Sequence, residues 1–482
     1  MNLRHYIPRR AGLRSIGLGG LLPFLHTGSV SGSESALPSI TQNSSGRIQK
    51  DILKKVFDTP FIDTHEHLLD ERERLSGTAI PEIRCDDWTM VLSLYTCDDM
   101  MVAGMSQKEW YRFFSPDIDP VKKWTILEPY WPSIKNIGYG RAVRIALQTL
   151  YGVDDLSAKT VSAVQDGYEK VRRPGFYRFI LQELAFIESC QVNCITPPFK
   201  ESEMPTLLMQ DISTLGMFQG PDFAKYSGPA GIRVSSLDDW YRVIDWWFTT
   251  YGRYAVAAKS QNAYSRDIDY EKIPAETVEG VFDKILAGQP VSPEEKKALE
   301  DHLFWVTTDR ATRAGLPVKL HTGYYVGHDY MPLSRLALNP DSAAALCRFS
   351  PETRFVFMHI CYPFYEPMIA LAKQYTNAYV DMCWAWIINP VAAKDFLKKY
   401  LVTAPANKIF TFGGDYYPVE PVLGHATLAR QGIALALSEL VDEGWLPLSN
   451  AMDLTDLIMH ENARQVFHLK EKTNILEHAP WR

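Results

Sequence analysis

The sequence is short of the residues that staple or extend a fold. Cysteine is scarce: Cys85, Cys97, Cys190, Cys194, Cys347, Cys361 and Cys383 are odd in number and include no Cys-x-x-Cys pair. That spacing excludes a disulfide framework and argues against thiolate-bound zinc, leaving buried free thiols as the expectation. There is no basic run or stripe, and the formal net charge is -7. Nucleic acid is therefore not an expected partner. No apolar run reaches the roughly 20 residues of a membrane-spanning helix. No internal repeat or low-complexity tract stands out. What is there is 46% hydrophobic and 22% charged over 482 residues. That is the balance and length of a soluble chain with a large core.

Residues 1–36 read as an export signal. Arg4, Arg9, Arg10 and Arg14 precede a glycine-diluted apolar run, Ile16 to Leu25, and a Ser/Gly-rich stretch ending near Ala36. A charged start, a short apolar middle and a small-residue exit are the signal-peptide pattern. The Arg9-Arg10 pair is similar to a twin-arginine signal, which implies a periplasmic or other extracytoplasmic destination. The alternative is a basic arm with no address.

Beyond it, residues 37–482 read as one domain. A helix over 48–57 leads into a strand at Phe61. Residues 70–185 are helical in pattern and rich in aromatics, a candidate insertion or lid. Strands are expected at 191–196, 206–211, 254–259, 318–321, 354–359, 377–384 and 408–415. Helices are expected at 237–251, 292–314, 341–349, 364–376, 390–402, 421–442 and 452–468. Strands alternating with helices predict a parallel sheet. Eight such units predict an α/β fold, the (β/α)8 TIM barrel, with the long helical insertion after strand 1.

In such a barrel the chemistry gathers at the C-terminal ends of the strands. His65 and His67, two apart on a strand, project to one face. Neutral imidazole is a good metal ligand. Lys259, His321, His359 and Asp415 close the fourth, fifth, sixth and eighth strands. Unrelated histidines would have to reach one rim by coincidence.

These residues carry a resemblance. Asp63-Thr-His65-Glu-His67, His321-Thr-Gly, His359-Ile-Cys-Tyr-Pro-Phe and Gly413-Gly-Asp415 resemble the amidohydrolase superfamily over residues 50–470. The segments Lys259–Arg266 and His460-Glu-Asn462-Ala-Arg are similar to the amidohydrolase family 2 branch, which includes uronate isomerases and domains fused to glutamine synthetases. The resemblance implies a barrel and a divalent metal, with zinc the expected ion. It implies His65 and His67 as ligands, with Asp415 a further ligand or a neighbour. Asp415 would take a proton from water and return it to the leaving group. His321 is a ligand or a carbonyl-polarising group; His359 holds a second metal or a substrate oxygen. Two ions would require a carboxylated Lys259, and one ion is expected. Otherwise Lys259 meets a substrate carboxylate.

Tyr264 and Arg266 follow strand four and are candidate substrate contacts. Arginine binds carboxylate bidentately, which suggests an acidic small-molecule substrate. Arg141 and Arg144 suit a solvated helix face better. Trp384 is a candidate pocket wall. Strand parity predicts that Asp63 and Lys319 share an interior layer and pair beneath the metal. The expected activity is metal-dependent hydrolysis of an amide, ester or lactone. The alternatives are a uronate-isomerase-like exchange between aldose and ketose sugar acids, and a barrel that binds without catalysis. A homo-oligomer is compatible with this sequence.

The signal reading has a direct consequence. A chain beginning at Ile40 is expected to be soluble and active. Aggregation of that chain beside a soluble full-length protein would overturn it.

Overall fold

A computed structural model describes residues 49–76, 85–194, 197–220 and 223–482. The expected export signal lies outside these residues. The strands are β1 Phe61–Glu66, β2 Ile187–Val192, β3 Leu208–Gln210 continued as Ile212–Ser213, β4 Ala258–Ser260, β5 Val318–His321, β6 Phe355–Met358, β7 Ala378–Asp381 and β8 Ile409–Phe410. Every ladder is parallel. The order runs β1-β2-β3, then from the second piece of β3 through to β8.

Two seams interrupt the ladders, and single backbone bonds span both. At β3, the Asp211 amide donates to Val192 (2.8 Å) and the Val256 amide donates to Gln210 (3.0 Å). Beyond β8, the Thr64 amide donates to Phe412 (3.0 Å), the Asp415 amide to His65 (2.9 Å) and the His67 amide to Tyr416 (3.1 Å). These bonds carry the sheet round to β1, in the TIM-barrel arrangement. The strands are buried along almost their whole length, as a parallel sheet wrapped in helices requires.

The helices follow their local signals. α1 is Lys50–Asp58; α2 is Gly138–Tyr151. α3, Pro293–Arg313, starts with a capping box between Ser292 and Glu295 and has Pro293 in its first turn; both devices suit orphan amides. It ends just before Gly315, whose φ of 70° only glycine adopts freely. α4, Leu333–Phe349, begins well before the expected 341, because it runs through Pro340. α5 is Glu366–Gln374, α6 is Pro390–Leu401 and α7 is Glu420–Asp442. The expected strand at 191–196 starts earlier, at Ile187: Glu188 lies exposed on it and pairs with Arg464. The expected strand at 254–259 shrinks to Ala258–Ser260.

Between β1 and β2 the regular elements of the described residues are all helices. This insertion has its own core, including Trp88, Met100, Phe113, Leu127, Trp131 and Val164. Two of the contacts that hold it to the barrel lie on the helix after β8. Arg74, buried, donates to both Glu420 oxygens (2.9 and 3.2 Å), to Asp86 (3.0 Å) and to Tyr168 (2.7 Å). α2 lies close against α7 at Gly424, where a Cβ would come within 1.9 Å of the Ala142 carbonyl oxygen. Arg144 sits 3.6 Å from Asp155 within the insertion, and Arg141 is on its surface.

Under the site, Lys319 is fully buried. Its Nζ donates to the Thr64 carbonyl (2.7 Å) and to both oxygens of Asp211 (2.9 and 3.1 Å). The partner is therefore Asp211 and not the expected Asp63. The β1–β2 register shifts between Asp63 and Glu66, so simple alternation fails along β1. Asp63 instead accepts from the amides of His65 (3.1 Å) and Gly414 (3.2 Å). Burial pushes its pKa up, and the facing Glu66 is raised by burial and by Asp63.

A buried charge left without its partner costs about 3–5 kcal/mol. Lys319→Met and Asp211→Asn are each expected to destabilise on that scale, and the double variant by clearly less than the sum. Strict additivity in a denaturant double-mutant cycle would mean the pair is not coupled.

Candidate metal centre

Three residues meet at the closing seam. His65 Nε2 lies 3.2 Å from Asp415 Oδ1, and His67 Nε2 lies 3.3 Å from the same oxygen. β1 supplies His65, the residue just past its end is His67, and the chain after β8 supplies the aspartate. His67 Nδ1 contacts the Asn193 carbonyl at 2.8 Å. That carbonyl can only accept, so Nδ1 carries the proton and Nε2 offers its lone pair to the site. Burial holds both imidazoles below the ordinary range, His67 at about 4. Neutral imidazole is the form that binds metal. Burial pushes Asp415 up, and the Lys259 charge pulls it back.

The donors fit a divalent ion. Bonds of about 2.0–2.2 Å in tetrahedral geometry hold ligand atoms about 3.5 Å apart, close to the spacings found. His65, His67 and Asp415 can hold a metal together; so can His359, Cys383 and Asp415. Among the described residues, His65 Nδ1, both ring nitrogens of His359 and Lys259 Nζ are buried without a hydrogen-bond partner. Unsatisfied polar atoms of this kind are costly unless a ligand, ion or water meets them.

The other sequence-predicted residues divide into two sets. His359 stays close, its ring 6.2 Å from His65 and 4.4 Å from His321. His321 Nε2 sits 2.8 Å from the Tyr324 carbonyl. That nitrogen is a donor, and His321 falls outside both candidate ligand groups. Lys259 is fully buried, and burial lowers its pKa. Trp384 stands against His359, ring centroids 5.2 Å apart, and against Tyr95 at 4.4 Å. Tyr264 packs against His321 with the rings tilted, centroids 4.6 Å apart, and its hydroxyl accepts from the Val326 amide at 3.2 Å. Arg266 is committed elsewhere: it bonds Asp301 (2.5 Å), Asp269 (3.0 Å) and Glu300 (3.2 Å) and covers the Tyr270 ring. The acidic-substrate expectation loses that support.

Sequence reasoning passed over several residues. Tyr95, in the insertion, donates from its hydroxyl to the Asp415 carbonyl at 2.5 Å. Asp381 accepts from the Cys383 amide at 2.9 Å. Glu66, between the two histidines, is buried, and its carboxylate accepts from the Tyr416 amide at 2.7 Å. For Tyr95 no local signal existed. For Asp381 and Cys383, the position at the end of β7 was available.

Backbone strain gathers here. His359 (φ 67°), Cys383 (φ 40°) and Asp415 (φ 65°) are left-handed without being glycine. Each such residue costs about 1–3 kcal/mol, and such residues cluster at functional sites. The two glycines before Asp415 make the turn fit. A Cβ on Gly413 would come within 2.9 Å of Cys383 Sγ, and one on Gly414 within 1.9 Å of Glu66 Oε1.

Comparison with known proteins follows the same outline. A sequence model of the amidohydrolase family matches residues 289–469. Protein fluG of Emericella nidulans is 25% identical over 185 residues, 37% of this chain and 21% of that protein. The chain thus spans about a fifth of that relative's length. A uronate isomerase from Thermotoga maritima superposes with a TM-score of 0.70 at 13% identity, covering 88% of this chain and 97% of that one. A glucuronate isomerase from Caulobacter crescentus gives 0.69 at 14%, covering 89% and 97%. A Lactobacillus casei protein described as a metal-dependent hydrolase gives 0.58 at 14%, covering 86% and 96%. At these identities the structural likeness establishes the fold.

His65→Ala and His67→Ala are each expected to lose bound metal while the circular dichroism spectrum is retained. Full metal content in either variant, measured on purified protein, would remove that histidine from the ligand set.

Proposed function

We propose that this chain, which belongs to the amidohydrolase superfamily, is a metal-dependent hydrolase cleaving an amide, ester or lactone bond of a small polar substrate. The observation that carries the reading is the buried Asp415 carboxylate, within 3.3 Å of two imidazole nitrogens. One ion held by His65, His67 and Asp415, with zinc proposed, would lower the pKa of water and polarise a carbonyl.

The protein's own groups supply the rest. Asp415 accepts a proton and returns it to the leaving group. The Tyr95 hydroxyl fixes its backbone. His359, with both nitrogens unpaired among the described residues, faces the space where a substrate oxygen would sit. His321 is oriented by the Tyr324 carbonyl. Trp384 and Tyr264 are proposed to wall the pocket. A substrate carboxylate would meet Lys259, whose buried Nζ lacks a partner among the described residues. Among those residues, no helix is long and apolar enough to cross a membrane. The basic, glycine-diluted leader supports action outside the cytoplasm.

One observation favours a second reading, a sugar-acid isomerase. The two uronate isomerases match nearly their full length with TM-scores of 0.70 and 0.69, above the hydrolase's 0.58. There the same groups would move a proton between neighbouring carbons. Product analysis of the metal-loaded protein on lactones, esters, amides and uronates decides between them. Hydrolysis products are expected; isomerised uronate alone would replace the first reading with the second. Asp415→Asn is expected to lower kcat by about 10²–10⁴-fold while most of the metal stays bound. Near-normal turnover in that variant would exclude Asp415 as the base.

A further inference from the structure

His425 is a buried histidine outside the proposed ligand set. It lies on α7 and is fully buried. Its Nδ1 sits 3.2 Å from the Gly414 carbonyl oxygen. A carbonyl only accepts, so Nδ1 carries the proton. Nε2 is buried without a partner among the described residues. Burial holds the pKa of the ring down at about 3, so the ring is neutral and adds no charge beside the metal ligands. It also packs against Phe412 and Tyr416, centroids 4.9 and 6.3 Å away.

We infer that His425 is a positioning residue for the metal centre: by holding the peptide between Gly414 and Asp415 from the helix layer, it sets the direction of the Asp415 carboxylate. This inference rests on the metal-centre reading and gives that centre a support outside the strands.

A peptide unit is planar, so bonds at its two ends fix its tilt. Here the Asp415 amide donates to the His65 carbonyl at 2.9 Å, and the Gly414 carbonyl accepts from His425. The first bond ends on the strand that carries the ligands. The second ends on α7, which is independent of the ligands. Without it, the plane can swing about the line joining the two Cα atoms. That swing changes φ of Asp415, which stands at 65°. A left-handed angle on a non-glycine residue persists only where the surroundings over-determine it. Gly414 adds little restraint of its own, because glycine is the residue least confined in φ and ψ. Asp63 holds only its amide, at 3.2 Å. The Gly414 carbonyl is also buried, so losing its donor would leave an orphan acceptor.

A histidine that only filled space would matter through its ring and not through its donor. Two substitutions separate these roles. Phenylalanine keeps a ring and loses the donor. Asparagine loses the ring and keeps an N–H donor as many bonds from the backbone as Nδ1. The test uses the full-length protein, stripped of metal and reloaded with Co²⁺. Chelator competition gives the affinity, and the visible absorption of the bound ion reports its ligand geometry. His425→Phe is expected to lose about 10–100-fold in affinity, the usual effect of removing a group that orients a metal ligand, and to shift the visible bands. His425→Asn is expected to keep the wild-type affinity and bands. Unchanged affinity and bands in His425→Phe overturn the inference and leave the metal centre standing. So does a loss in His425→Asn as large as in His425→Phe, which assigns the effect to ring packing. A wild type that binds no Co²⁺ overturns the metal-centre reading and this inference with it. Should His425→Phe not fold, His425→Asn decides alone: wild-type affinity supports the hydrogen bond, and a loss overturns it.

Discussion

The return of the last strand to the first is the constraint on which the site depends. The Asp415 amide donates to the His65 carbonyl, and the His67 amide donates to the Tyr416 carbonyl. Those two bonds interleave the segment after β8 with the histidine strand, residue by residue. The carboxylate is thereby carried to the two imidazoles. No side-chain attraction has to assemble the centre, because the backbone register has done so already. Interactions made at that seam are rigid in the sense that matters for catalysis: groups held in place need no reorganisation when charge develops.

That position is expensive to keep in a low-dielectric interior, and the surroundings are arranged to meet the cost. Lys319 is matched by Asp211 and by a carbonyl. Asp63 and Glu66 face each other with their pKa values raised by burial, so they need not both be charged. Away from the site, Arg430 is buried on the Phe61 ring and bonds the carbonyls of Val56, Thr59, Ala185 and Phe186. It ties the segment before β1 to the segment before β2, and so supports the histidine strand from its lower end. Arg74 does the corresponding work for the insertion, joining it to the helix that follows β8.

The insertion is more than a cover. Tyr95 reaches from it to the Asp415 carbonyl and packs against Trp384, Tyr139 and Tyr416. Asp98 accepts from the Gly327 amide at 2.7 Å, joining the insertion to the loop after β5. The aromatic wall of the centre is therefore built from both parts of the chain, and a change in the insertion's packing would be felt at the carboxylate.

The sequence by itself determined the periodic features. Strand–helix alternation, capping at Ser292 and the stop at Gly315 are local, so the barrel and most helix bounds could be read from nearby residues. The histidines and Asp415 could be read too, because a barrel puts strand ends on one rim. Three things were decided only in three dimensions. The register shift in β1 broke the alternation rule and gave Lys319 to Asp211 instead of Asp63. The pull of Glu300, Asp301 and Asp269 took Arg266 away from the site. Cys383, with no partner nearby in sequence, came to lie beside Asp415 because β7 and β8 are neighbours. Each depends on contacts between residues far apart in the chain. A local pattern carries the period of a strand, but not which distant charge will lie opposite a given side chain.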